Sequence, residues 1–238
     1  MKKVRIAAMA DLHTEEDYLG NFRGIFEEIS KKADILLLCG DLTHEGLPKE
    51  AEVLAKELSF CTIPILGILG NHDYTNEQQN EIKKILSAEN VRILNNETYI
   101  FKGIGFTGTK GFCGGFDKHL TAPFGEKILK EFVMEAVNET IRLEEALTEM
   151  ETEKKIVMLH YAPIRETIVG ESLEIYPMLG TSRLTEPIDN FGVSAVFHGH
   201  AHHGTREGKT SKGIPVYNVS LPLLSKTPPY KPYIIVEV

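Results

Sequence analysis

Apolar runs alternate with amphipathic segments along the first third of the chain. A fully apolar run at 35–39 is typical of a central strand in a parallel sheet, because both faces of such a strand are buried. Between the runs, Phe22, Ile25, Phe26 and Ile29 recur at the spacing of one helical face. This alternation predicts a parallel sheet with right-handed crossovers. The predicted elements are strands at 4–10, 35–39 and 63–69, with helices at 22–29, 48–58 and 77–88.

The remainder of the chain predicts a second group of strands, interrupted after the first three by a glycine-rich loop and one long helix. The loop covers 108–125 and the helix about 126–150, with Phe132, Ala136 and Val137 on one face. No linker or repeat separates the two halves, so we predict a single domain over 1–238. The predicted strands are 91–94, 98–101, 104–107, 156–159, 193–197, 214–219 and 233–238.

Composition and charge exclude several classes of protein. The chain has 238 residues, 42% of them hydrophobic, with a net charge of −8, so it can bury a core and is not a disordered protein. The acidic balance predicts no basic surface for binding nucleic acid. Three cysteines argue against a disulfide framework, and no apolar run reaches the ~18 residues of a membrane span. We therefore expect a cytoplasmic protein that does not bind a membrane; the sequence leaves its oligomeric state open.

Polar side chains of one chemical kind follow five of the predicted strands directly. The carboxyl ends of strands in an open α/β sheet are where ligands bind, so these side chains are expected to converge. Carboxylate, amide and imidazole groups without thiolates indicate a metal site. The side chains are Asp11 and His13; Asp41 after Gly40; Asn71, His72 and Asp73 after Gly70; His160; and the histidines of 198–203.

Each of these motifs alone has a structural explanation. Asp11 could close a turn, Asp73 could cap the following helix, and His160 could be a hydrogen-bonded histidine of the core. Independent turns would not be expected to place such residues after five successive strands, so their joint occurrence favours a site. We expect five further polar residues to lie on the solvated surface and not in the site, namely His44, His119, His203, Arg165 and Arg183.

The five blocks, in order from residue 11 to residue 202, resemble the signature of the calcineurin-like metallophosphoesterases. The resemblance implies two mixed β-sheets packed face to face with helices outside, an α/β fold of four αββα layers. It implies that one metal ion is held by Asp11, His13, Asp41 and His202. It implies that Asp41 bridges to a second ion held by Asn71, His160 and His200. His72 would lie beside the ions as a catalytic residue without ligating them, and either Asp41 or Asp73 could orient its ring.

The implied activity is hydrolysis of a phosphate mono- or diester by in-line attack of a hydroxide that bridges the two ions. Two divalent ions, two aspartates and one hydroxide leave a local charge of about +1, which attracts phosphate although the whole chain is acidic. Imidazole and carboxylate ligands favour Mn, Fe or Zn over Mg or Ca. The expected partner is therefore a phosphorylated substrate, whose class the sequence does not reveal.

Three alternatives remain open at this point. A protein of the same fold could bind metal and act as an interaction scaffold with little or no catalysis, although a scaffold has no need of His72. A mononuclear zinc hydrolase needs only three protein ligands and leaves half of the motifs unexplained. Finally, the segment 108–152 could form a cap over the site, with Phe112 and Phe116 lining a pocket, or those two rings could simply anchor the loop to the protein surface.

Overall fold

Two β-sheets lie face to face in the computed structural model, which describes residues 3–238. Within that range, seven helices flank the sheets, and short 3₁₀ turns connect several elements. The strands are β1 (Arg5–Met9), β2 (Ile35–Cys39), β3 (Ile65–Ile68), β4 (Val91–Ile93), β5 (Tyr99–Phe101), β6 (Ile104–Thr109), β7 (Lys154–Leu159), β8 (Ala195–His198), β9 (Glu207–Lys209), β10 (Pro215–Asn218) and β11 (Ile234–Glu237). The helices are α1 (Arg23–Lys32), α2 (Pro48–Leu58), α3 (Gln79–Ala88), α4 (Lys127–Thr148), α5 (Tyr176–Leu179), α6 (Thr185–Asn190) and α7 (Leu221–Lys226).

Both sheets are mixed, with a parallel centre. The first sheet has the order β11-β1-β2-β3-β4, in which β1 to β4 run parallel and β11 is antiparallel to β1. The second sheet has the order β5-β6-β7-β8-β10-β9, in which only the edge strands β5 and β9 are antiparallel to their neighbours. This architecture confirms the predicted fold of two mixed sheets with helices outside.

Alternating side chains of the central strands divide the apolar core into layers. In β2, Ile35, Leu37 and Cys39 face the second sheet, whereas Leu36 and Leu38 face α1 to α3. Strand β7 behaves in the same way, since its even-numbered residues face the first sheet and its odd-numbered residues pack against α4 and α6. Each central strand is thus buried on both faces, which explains why its sequence is a continuous apolar run.

Several element boundaries differ from the predicted ones for local reasons. Strand β3 begins at Ile65, two residues late, because Pro64 has no N–H to donate to the ladder. Strand β6 continues to Thr109, so Gly108 pairs with Met158 instead of opening the loop. Helix α7 and the short strand β9 were not predicted, because neither has enough residues to show a period.

Helix α4 covers the outer face of the second sheet. Its residues Leu143 and Leu147 pack in one apolar cluster with Val157 and Leu159 of β7. In the loop before it, Phe116 is buried at 3% exposure and packs in a separate apolar cluster. The assignment of 108–152 to a cap, and that of 1–238 to one domain, remain predictions.

Among residues 3–238, no helix has the length and apolarity that a membrane crossing requires.

One carboxylate links the two sheets at the edge where the parallel strands begin. Asp34 accepts hydrogen bonds from the backbone N–H of Arg5 at 2.9 Å and from Arg5 Nε at 3.2 Å. It also accepts one from Lys102 Nζ, at the end of β5, at 2.9 Å. The bond from the Arg5 N–H, followed by that from Lys102, holds the pKa of Asp34 well below its usual range. The carboxylate therefore stabilises the folded protein only while it is ionised.

We expect Asp34→Asn to lower the free energy of unfolding by about 1–3 kcal/mol at pH 7, because it weakens charge-assisted hydrogen bonds. A lowered pKa gives stability that is present above the unfolded pKa of about 4 and is lost as the pH falls further, so the deficit should shrink in acid. Urea denaturation at pH 7 and pH 3, with a chelator present, measures the difference in free energy of unfolding between the variant and the wild type. Substitution of an exposed aspartate, Asp17→Asn, serves as the control. An equal deficit at both pH values would contradict this assignment.

Candidate metal centre

The two sheets bring the predicted side chains to one common edge, at the carboxyl ends of their parallel strands. Strands β1, β2 and β3 of the first sheet lead into Asp11, Asp41 and Asn71. Strand β7 of the second sheet leads into His160, and strand β8 leads into the turn that contains His200 and His202. Asp11, Asp41 and His160 are buried; the half-buried members of the set are His13, Asn71, His200 and His202.

One cluster consists of Asp11, His13 and His202, whose ligand atoms lie within 4.8 Å of one another. His202 Nε2 is 3.2 Å from Asp11 Oδ1. Both ring nitrogens of His13 are buried and have no hydrogen-bond partner among residues 3–238. Burying an imidazole without partners is costly, so these nitrogens indicate a ligand that the protein itself does not supply.

A second cluster consists of Asp41, His160 and His200, again within 4.8 Å. His160 Nε2 lies 2.9 Å from Asn71 Oδ1 and 3.3 Å from Asp41 Oδ1. The amide oxygen of Asn71 therefore joins this cluster. Oxygen and imidazole donors around one point match the ligand preferences of a divalent transition metal.

Asp41 lies between the two clusters. While its Oδ1 faces His160 of the second cluster, its Oδ2 is 3.8 Å from Nε2 of His13 in the first. Asp41 is 1% exposed, so few water molecules can reach its charge. One carboxylate thus presents an oxygen to each cluster, which is the arrangement that a shared ligand requires.

Backbone carbonyl groups orient two of the histidine rings. His160 Nδ1 lies 3.1 Å from the carbonyl oxygen of Cys39, and His200 Nε2 lies 3.2 Å from that of Met178. A carbonyl only accepts, so each of these nitrogens carries the hydrogen and the opposite nitrogen of each ring is left for a metal. The contact with Met178 could not be found from the sequence, because every residue has a carbonyl group.

Burial and neighbouring charges set the protonation states of the residues in the two clusters. Burial opposes ionisation of Asp11, but the hydrogen bond from His202 and the charge of His160 outweigh it and keep the pKa of Asp11 low. Burial lowers the pKa of His13 and of His200 to about 4, so both rings are neutral and able to ligate. Burial also opposes a charge on His160, yet Asp41 and then Asp11 raise its pKa to about 9. A metal ion at His160 must therefore displace a proton.

The backbone at four of these residues is in the left-handed region. The φ angles are 57° at Asp11, 43° at His13, 49° at Asp41 and 68° at His200. This conformation costs about 1–2 kcal/mol for most residues, and Asp and His adopt it more readily. Such strain is characteristic of functional sites, where the surrounding structure maintains it. The neighbouring turn at Gly70 is equally constrained, because a side chain there would overlap the carboxylate of Asp41.

His72 lies beside the first cluster, with its ring centroid 4.5 Å from that of His13. Its Nδ1 donates to the carbonyl oxygen of His44 at 2.6 Å, and its backbone N–H donates to Asp41 Oδ1 at 2.9 Å. Its Nε2 is consequently free to donate or accept a proton. Neither Asp41 nor Asp73 orients the ring, since Asp73 accepts from the N–H groups of Leu42, Thr43 and Gly70 and from the Thr43 hydroxyl instead.

His44 is nearer to the centre than the sequence suggested. His13, His44 and His72 form a third cluster of potential ligands, and Nδ1 of His44 is buried without a partner among residues 3–238. The only signal in the sequence was its place three residues after Asp41.

His198 and His203 lie apart from the clusters: His198 bonds to Thr167, and His203 contacts Glu171. His119 is exposed, and Arg183 donates to the carbonyl of Thr121.

Comparison with protein-family models matches residues 4–204 to the calcineurin-like phosphoesterase family. That range contains every residue of the clusters described above. A search of curated protein sequences finds no significant match.

Solved structures with the same fold cover almost the whole chain. The phosphopantetheinyl hydrolase PptH of Mycobacterium tuberculosis is 15% identical with a TM-score of 0.70, over 98% of this chain and 96% of its own. The protein TT1561 of Thermus thermophilus is 16% identical with a TM-score of 0.59, over 99% of both chains. At these identities the two likenesses show a shared fold.

Proposed function

Because the chain belongs to the calcineurin-like phosphoesterase family and is a metal-dependent hydrolase of phosphoester bonds, we propose that it hydrolyses a phosphate mono- or diester with two divalent metal ions. The observation that carries this proposal is the position of Asp41, whose two carboxylate oxygens face different clusters. A single metal site would leave one of those clusters without a role.

The donor sets suit two divalent transition-metal ions. Asp11, His13, Asp41 and His202 would hold one of them; Asp41, Asn71, His160 and His200 would hold the other. Imidazole and carboxylate ligands favour Mn, Fe or Zn. Such a pair of ions supplies positive charge for the phosphate and activates water for in-line attack at phosphorus. The unpartnered nitrogens of His13 support the fit, since a metal would satisfy one of them.

The chain's own residues would provide orientation and proton transfer. The carbonyl groups of Cys39 and Met178 would keep the rings of His160 and His200 turned towards the metals. His72, whose Nδ1 donates to His44, would use Nε2 to protonate the leaving oxygen or to stabilise its developing charge. The neutral amide of Asn71, in place of a further carboxylate, would preserve the positive charge that attracts the phosphate.

A metal-reconstitution experiment tests this function. Protein stripped with a chelator is expected to hydrolyse neither 4-nitrophenyl phosphate nor bis(4-nitrophenyl) phosphate. Addition of Mn²⁺, Fe²⁺ or Zn²⁺ is expected to restore hydrolysis of at least one of them, because the ions provide the charge and the activated water. Titration followed by elemental analysis gives the number of ions per chain, and thermal melting of the stripped protein shows that it remains folded.

The outcome separates the alternatives. Two ions per chain with no hydrolysis of any phosphoester would favour a metal-binding scaffold over the proposed enzyme. Full activity with one ion per chain would favour a mononuclear hydrolase and would contradict the bridging role of Asp41.

A further inference from the structure

A lysine follows a sixth strand at the edge where the metal clusters lie. Strand β6 pairs in parallel with β7, and Lys110 follows its last residue just as His160 follows β7. The carbonyl oxygen of Lys110 accepts hydrogen bonds from the backbone N–H groups of His160 and Tyr161, both at 3.1 Å. These two bonds hold the backbone of Lys110 directly beside one of the proposed ligands.

The ammonium group of Lys110 lies among three aromatic rings. Its Nζ is 4.9 Å from the ring centroid of Phe112, 5.3 Å from that of Tyr161 and 5.7 Å from that of Tyr74. Each distance is within the range of a cation–π interaction. The side chain is half-buried, so the rings replace part of the water that would surround an exposed lysine.

No carboxylate among residues 3–238 lies within 4.0 Å of this ammonium. Nζ donates to the carbonyl oxygen of Gly111 at 3.0 Å. The nearby carboxylate of Glu139 is already bonded to the Thr109 hydroxyl, the Gly111 N–H and Arg142. An ammonium has three N–H donors, so two of those of Lys110 remain available.

A half-buried cation without a paired anion is unfavourable for folding alone. The aromatic rings offset part of this cost, but an apolar side chain would pack among them without incurring it. The free donors of Lys110 are better explained by an anion that binds when the substrate is present.

The surrounding rings show where that anion would be. The ring of Tyr161 lies 4.4 Å from the ring of His200 and 5.5 Å from that of His160. Tyr74 belongs to the same 3₁₀ turn as His72. The ammonium and two histidines of the second metal cluster therefore lie beside the same ring, that of Tyr161. An anion bound by this ammonium would be carried by the part of the substrate next to the phosphate held on the ions.

We propose that Lys110 binds a second oxyanion of the substrate, a carboxylate or phosphate carried by the group esterified to the scissile phosphate. This assignment rests on the proposed phosphoesterase function and narrows its substrate class to phosphoesters with an acidic leaving group. Tyr74 and Phe112, both half-buried beside the ammonium, would contact the carbon skeleton between the two anions.

Non-hydrolysable phosphonates test the assignment without relying on turnover. Propylphosphonate and 3-phosphonopropionate differ by one carboxylate, and pentylphosphonate and 5-phosphonopentanoate form a longer pair. Calorimetry measures their binding to the Mn²⁺-loaded wild type, to Lys110→Met and to Lys110→Arg, with elemental analysis to verify metal content. Propane-1,3-diphosphonate against propylphosphonate tests whether the second anion is a phosphate-type group.

Wild type is expected to prefer the acidic member of at least one pair. Lys110→Met should reduce this preference by about 10–100-fold, the range of one charge-assisted hydrogen bond, while Lys110→Arg retains part of it. Lys56→Met is the control, because Lys56 is an exposed lysine of α2 that belongs to none of the clusters. If Lys110→Met is unstable by thermal melting, Lys110→Gln replaces it.

Two results would overturn the assignment. One is that the wild type binds no acidic member of a pair more tightly than the other member. The other is that substitution of Lys110 weakens the binding of both members of a pair by the same factor. Failure of the phosphoesterase function gives a different pattern, in which the phosphonates bind as expected but no phosphoester is hydrolysed.

Discussion

Asp41→Ala is expected to lose bound metal and phosphoesterase activity together. The substitution removes the carboxylate whose two oxygens face both clusters, so neither donor set is complete without it. It also leaves His160 without the neighbouring negative charge of Asp41, which is the main attraction that raises its pKa. Elemental analysis should show fewer than two ions per chain, and hydrolysis of 4-nitrophenyl phosphate should fall by more than the about 10–100-fold that loss of a hydrogen-bond partner of a metal ligand typically costs.

Backbone strain has to be separated from metal loss in this experiment. Asp41 has a φ of 49°, where alanine costs about 1–2 kcal/mol whatever the side chain binds. Asp41→Asn avoids this cost, because asparagine tolerates the left-handed region, yet it still removes the charge. Asp117→Ala is the matched control for strain, since Asp117 is exposed and has a φ of 54° outside the clusters. Two ions per chain and normal turnover in Asp41→Asn would make the assignment of Asp41 wrong.

His72→Ala is expected to keep both metal ions and to lose about 10²–10⁴-fold in kcat, the usual contribution of a positioned acid or base. The hydrogen bond from Nδ1 to the carbonyl of His44 leaves Nε2 as the only nitrogen available for proton transfer. If Nε2 protonates the leaving oxygen, the loss should be smaller for 4-nitrophenyl phosphate than for phenyl phosphate, since a good leaving group needs little protonation. Steady-state kinetics on both esters measures this.

The other outcomes are equally informative. A loss that is the same for both esters would assign His72 to charge stabilisation instead of proton transfer. A loss of metal would make His72 a ligand, through the cluster that it forms with His13 and His44. His203→Ala, at an exposed histidine that contacts Glu171, serves as the control for removing an imidazole from the same region.

The sequence did not determine which group orients the ring of His72. Two nearby carboxylates, Asp41 and Asp73, were equal candidates for orienting the ring. In the structure a backbone carbonyl performs that task, and Asp73 instead joins the turn after β2 to the turn after β3 through its hydrogen bonds. Backbone acceptors cannot be identified from side-chain identity, because every residue carries one.

The sequence by itself determined the central strands and the chemistry at their ends. Continuous apolar runs identified β1, β2 and β7 because these strands are buried on both faces. The polar residues that follow them converge because parallel strands end at the same edge of a sheet. Both inferences depend only on local pattern and on one general rule of α/β architecture, so they could be made without coordinates.

Tertiary structure alone decided which distant segments meet. It pairs β11 with β1, brings the carbonyl of Met178 to His200, and places Lys110 at the same edge as the five predicted strand ends. It also caps α1 with Glu57 of α2, which accepts the N–H groups of Gly20, Phe22 and Arg23. These contacts join residues far apart in the chain, and their free energy depends on the packing of the whole fold. No local period or propensity encodes them, which is the physical reason that they become visible only in the folded molecule.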